Sequence, residues 1–60
     1  MNGKLKQIRL SKNLTQQQLA DMVKVEVSYI SKIETGKRKP SIALLEQIAN
    51  ALDVPIRDFF

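Results

Sequence analysis

A sixty-residue chain without a single cysteine or histidine has to hold itself together by packing alone. No disulfide can staple it, and neither a zinc finger nor a Cys/His nucleophile pair can be built from it. At this length folding buries only about 60% of the surface the unfolded chain exposes, so the chain is marginal unless its core is efficient or it associates, and two domains are excluded. The composition permits such a core: 43% apolar and 27% charged is globular rather than disordered, and only two prolines and two glycines interrupt the pattern. One domain is therefore expected over residues 1–60.

The apolar spacing is helical throughout. Leu5 and Ile8 stand at i, i+3 in a segment closed near Lys12-Asn13, which predicts a first helix over about 3–12. Thr15-Gln16-Gln17-Gln18 fits a capping box, with Leu14 and Leu19 at the two staple positions around it, and predicts a second helix over about 16–23. Lys24-Val25-Glu26 then separates a third helix, about 27–35, which carries Ile30 and Ile33 inward and stops at Gly36. Ser41 is a good N-cap for a fourth helix over about 42–52, the most apolar in the chain, with Leu44, Leu45, Ile48, Ala49 and Leu52. Pro55 suits the first turn of a short fifth helix, about 55–59, bearing Ile56, Phe59 and Phe60. The expected architecture is all-α with five helices.

Charge divides the chain unevenly. Residues 1–39 hold nine Lys/Arg against three acids, a balance of +6, whereas residues 40–60 hold one Arg against three acids, a balance of −2. One end is built to meet an anion. At 100° per residue, Ser28, Lys32 and Thr35 point away from the core side of the third helix, with Ser31 beside them. Two short helices joined by a three-residue turn, the second with a small, polar, basic outer face, meet the requirement for a helix-turn-helix. Nine residues rise about 13 Å, close to the roughly 12 Å width of a B-DNA major groove.

Candidate roles follow from that placement. Gln16 and Gln17 open the second helix, where free amides and the helix dipole favour phosphate. Ser28 and Lys32 face base edges, and Thr35, Lys37, Arg38 and Lys39 lie where a phosphate backbone would pass. Tyr29 flanks the core, so plain packing and packing with its hydroxyl turned to a phosphate are both open. Ile56 and Phe60 either close the core or mark a dimer contact, with Phe59 placed in the core. Lys4, Lys6 and Lys12 belong to an ordinary solvated face.

From Leu5 to Phe60 the chain resembles the Cro/CI-type helix-turn-helix family, the phage-repressor-like class also known as XRE. The resemblance rests on Leu5-Lys6-Gln7-Ile8-Arg9, Leu14-Thr15-Gln16 with Leu19-Ala20, Tyr29-Ile30-Ser31-Lys32-Ile33-Glu34-Thr35-Gly36, Pro40-Ser41 and Leu52-Asp53-Val54, in that order and spacing. It implies a five-helix, lambda-repressor-like domain with the helix-turn-helix at the second and third helices. It implies that Gln16 contacts a phosphate, that Val27, Ser28 and Lys32 sit at base-reading positions, and that Thr35 and the loop through Lys39 hold the backbone. It also implies a pair between Arg9 and Glu34, in agreement with the position of Glu34 only about 70° from the core direction, too near it to go unpaired without cost.

Three residues depart from the family's pattern. Lys24 stands where glycine is common in the turn and must take a left-handed or distorted conformation at a cost of about 1 kcal/mol. Glu26 replaces the usual Ser/Thr cap before the third helix, facing the DNA, where it either accepts a hydrogen bond from a cytosine amine or repels phosphate. Val27 suits a thymine methyl rather than a bidentate hydrogen bond.

The function these readings predict is sequence-specific binding of double-stranded DNA by a transcriptional regulator, a repressor acting as a homodimer on a palindrome. No enzyme activity, cofactor, metal, small-molecule ligand or membrane partner is expected: Asp21, Glu26, Glu34, Asp53 and Asp58 show no motif spacing, and the helices' apolar faces are committed to a core. Nor is there an apolar run of the length a signal peptide or membrane span needs, so a cytoplasmic, nucleoid-associated location is expected. The alternative is a protein-interaction module, such as an antitoxin or antirepressor domain.

Overall fold

Two helices of this chain begin on a side-chain cap and all four α-helices end on a left-handed turn, and those signals set the path of the backbone. The computed structural model describes residues 3–60, so the first two residues of the expected domain lie outside the described part. Four α-helices follow in order: α1 (Lys4–Ser11), α2 (Gln16–Val23), α3 (Val27–Glu34) and α4 (Ile42–Leu52). A 3-10 helix, Ile56–Phe59, closes the chain.

The capping box at α2 is complete. The Gln18 amide donates to the Thr15 hydroxyl at 3.0 Å, and the Thr15 amide donates to the Gln18 side-chain oxygen at 2.8 Å. Ser41 caps α4 in the simpler way, accepting from the Leu44 amide at 3.1 Å. At the other end, all four α-helices stop by the same device. A left-handed residue, in turn Asn13, Lys24, Gly36 and Asp53, is followed by an amide that reaches back five residues. These bonds run from Leu14 to Arg9, Val25 to Ala20, Lys37 to Lys32 and Val54 to Ala49, at 2.9–3.2 Å.

Leu14, Val25 and Val54 follow their left-handed residues and pack against the core, the apolar contact that accompanies such a stop. At the end of α3 that place is taken by Lys37, which stays exposed. Three helices therefore fold back onto the core, and the fourth releases a basic loop into solvent. Lys24 adopts φ 60, ψ 47, the left-handed conformation its place in the turn requires.

The core sits between α4 and the first three helices. Leu5, Leu19, Ile30, Ile33, Ile48 and Leu52 are fully buried, and α4 contributes five buried residues in all, as its apolar stripe predicts. Each large side chain so buried contributes roughly 1.5–3 kcal/mol. Among the described residues no helix is long and apolar enough to cross a membrane.

The expected fifth α-helix is not formed: the structure has four α-helices and a 3-10 turn. Its bonds run from Asp58 to Pro55 and from Phe60 to Arg57, at 3.0 and 3.1 Å. The tighter winding has a packing reason. Three residues per turn put Ile56 directly in line with Phe59, so Phe59 is buried and Ile56 packs half-buried beside it.

Candidate nucleic-acid interface

The arrangement of α2 and α3 is held from beneath by one buried charge. Arg9, on α1, donates from Nε and Nη2 to the two carboxylate oxygens of Glu34 at 2.7 and 3.2 Å, and from Nη1 to the Leu14 carbonyl at 2.6 Å. Both side chains are almost fully buried, at 6% and 3% exposure. Glu34, the last residue of α3, also accepts from the Gln16 carboxamide at 2.9 Å. One ion pair thus ties together α1, the loop after it, the first residue of α2 and the end of α3. Burial pushes the Glu34 carboxyl up, but the hydrogen bonds from Arg9 and Gln16, with the charges of Arg9 and Lys6, outweigh it and hold the group below its ordinary range.

Around this hub the predicted residues occupy distinct places. Glu26 is the N-cap of α3, and Glu26, Ser28 and Lys32 are exposed. Val27 is half-buried and packs against the core, so only part of it faces outward. Ser28 and Lys32 lie one turn apart on the same face of the helix. The α2 capping box uses the Gln18 amide, which leaves the amides of Gln16 and Gln17 as the unpartnered donors of that first turn. Their side chains are engaged, Gln16 with Glu34 and Gln17 with Asp21 at 2.9 Å. Gln16 keeps a second N–H to offer; its first fixes the direction.

Beyond α3, the amides from Thr35 to Arg38 are already satisfied. The Thr35 hydroxyl donates back to the Ser31 and Lys32 carbonyls at 3.1 and 3.3 Å, and the amides of Lys37 and Arg38 both converge on Lys32. What this loop can offer an anion is therefore its side chains, the exposed Lys37, Arg38 and Lys39. Ser31 is half-buried beside them.

A helix-turn-helix family model matches residues 5–59 of this chain. The chain belongs to the Cro/CI-type helix-turn-helix family. It is 46% identical over 55 residues to the HTH-type transcriptional activator BcrR of Enterococcus faecalis, a stretch that is 92% of this chain and 27% of BcrR. To the control protein C.BamHI of Bacillus amyloliquefaciens it is 45% identical over 56 residues, which make up 92% of this chain and 69% of that protein. Among solved structures, the biofilm master regulator SinR in complex with DNA superimposes with a TM-score of 0.92 at 33% identity, covering 100% of both chains.

Two features of this helix-turn-helix escape sequence reasoning. The Arg38 guanidinium lies over the Tyr29 ring, 4.9 Å from its centroid, so the ring that was read as core packing or phosphate donor also steadies a loop cation. Nine residues separate the two, and no local pattern links them. Among the described residues four large apolar side chains are exposed, Phe60 most of all at 70%, with Leu10, Met22 and Ile42. Of the predicted contact pair Ile56 and Phe60, the first packs mainly on its own core and the second is free of it. Among the described residues no group of acids could hold a metal ion.

Proposed function

We propose that this chain is a sequence-specific double-stranded DNA-binding unit of a transcriptional regulator, a repressor that inserts α3 into the major groove. The eight residues of α3 rise about 12 Å, the width of the groove they would enter. Glu26, Val27, Ser28 and Lys32 read bases; the Gln16 and Gln17 amides, Tyr29 with Arg38, Ser31, Lys37 and Lys39 hold the phosphates on either side, and Thr35, its hydroxyl donated back to α3, sets the start of the loop that carries them. The observation that carries this reading is the bond from Gln16 to Glu34. This bond joins the first residue of α2 to the last of α3, which supports a reading in which gripping the backbone with α2 sets the register of the readout by α3. The DNA-bound state of SinR and the regulatory names of the relatives support it.

One helix contacts few base pairs, so choosing a site needs two half-sites about one helical turn apart and a two-fold dimer. Phe60, the most exposed of the large apolar side chains, offers a surface for that contact with the edge of Ile56. Regulation then works by occupancy of the operator and requires no cofactor. Selection from a pool of random duplexes tests the reading: a symmetric motif with its halves about ten base pairs apart is expected. Absence of any enriched duplex, with retention of a protein partner instead, would replace it with the interaction-module alternative.

A further inference from the structure

The N-cap of α3 puts an exposed acid at the start of a helix whose outward face is otherwise small, polar or basic. Glu26 holds an extended conformation, φ −67 and ψ 141. Side chains alternate across extended backbone. Val25 and Val27 on either side both pack against the core, whereas Glu26 between them is exposed. Its carboxylate caps no amide of α3 and enters no ion pair or hydrogen bond among the described residues. The helix dipole favours an acid at this end, but no hydrogen bond of the fold uses it. A Ser, Thr, Asp or Asn at the same position would supply the cap bond that is missing.

We propose that Glu26 is a specificity-determining residue that makes DNA binding conditional on a cytosine at the end of the half-site read by the start of α3. The inference rests on the DNA-binding function proposed above. A carboxylate only accepts hydrogen bonds, and the phosphate backbone can offer it none. In the major groove the donors on base edges are the amines of cytosine and adenine. Adenine pairs its amine with the N7 acceptor, which suits a carboxamide, whereas the cytosine amine is the donor that a lone carboxylate matches. Over any other base, Glu26 is a desolvated charge beside phosphates. Its selectivity therefore comes as much from penalising wrong sites as from favouring the right one. Val27, next along the chain, turns its exposed part to the neighbouring pair, where a thymine methyl completes an apolar contact.

The test repeats selection from random duplexes with the wild-type chain, E26Q and E26S, followed by affinities for the selected site and for an unrelated duplex. The wild type should enrich a cytosine at one position per half-site. E26Q should shift that position to adenine, and E26S should lose preference there, with discrimination falling about tenfold, the span of one lost base contact. Both variants should bind the unrelated duplex more tightly than the wild type does. E26S gains a capping side chain, so a thermal midpoint at or above the wild-type value removes misfolding as the cause. A wild-type motif without that cytosine overturns the inference while leaving DNA binding intact, and so does an unchanged motif and unchanged unrelated-duplex affinity in E26Q and E26S. Failure of the wild type to enrich any duplex overturns the DNA-binding function itself, and the inference with it.

Discussion

Arg9 and Lys39 carry the same charge on the same small chain, and burial gives them opposite work. Arg9 is 5% exposed, and its guanidinium is taken up by Glu34 and the Leu14 carbonyl. Lys39 is exposed at the far end of the basic loop, beyond the helix end where a lysine replaces the usual apolar anchor. A buried charge cannot move without leaving its partner desolvated, so it fixes geometry. An exposed lysine is held by almost nothing and contributes to an interface mainly through its field and the counterions it displaces. A sixty-residue fold can therefore spend one ion pair on orientation and leave the rest of its basic excess for a ligand.

The sharpest way to break that division is to uncouple the buried pair. Arg9→Met leaves the Glu34 carboxylate buried without its cation and should cost about 3–5 kcal/mol in chemical denaturation. That is a large share of the roughly 5–15 kcal/mol a typical domain has. The double variant Arg9→Met with Glu34→Leu should recover most of the loss, because the uncompensated charge goes too. Full recovery of folding combined with weak duplex binding would separate the pair's orienting role from its stabilising one.

On the exposed side, Lys32→Ala should leave the thermal midpoint unchanged and remove about 1–3 kcal/mol of discrimination at one operator position. Affinities for a set of single-base operator variants measure it. Equal weakening on every variant would mean that α3 does not read bases.

A smaller effect comes from acid. The folded pKa of Glu34 lies below its unfolded value, so the pair's contribution is fully present above the unfolded pKa and is lost as pH falls through the folded one. Thermal midpoints across the acidic carboxylate range should therefore drop less for the Arg9→Met/Glu34→Leu double variant than for the wild type. Parallel curves would remove Glu34 from the account of acid stability.

What was legible in the chain was what short-range patterns encode. Thr15 with Gln18, and Ser41 ahead of an apolar stripe, gave α2 and α4 their observed bounds, because a cap acts within three residues. The left-handed turn at Lys24 entered through the family resemblance, in which glycine is common at that place. Ile56 and Phe59, three apart, fit an α-helix and a 3-10 helix equally well, and only packing chose the tighter form. The pairing of Arg9 with Glu34 entered through family resemblance and the position of Glu34 near the core. The branch from Glu34 to Gln16 and the stack of Arg38 on Tyr29 join residues 18 and nine apart in the chain, beyond the reach of any periodicity.

The division between orienting and binding charges is tested most directly by the salt dependence of duplex affinity for the wild type and Lys39→Ala. If each of two subunits neutralises about three phosphates, the log-log slope should lie near −5, and Lys39→Ala should flatten it by about one per subunit while weakening all sequences alike. A flat salt dependence, or a slope that Lys39→Ala leaves untouched, would contradict the assignment of the exposed basic loop to the phosphate backbone.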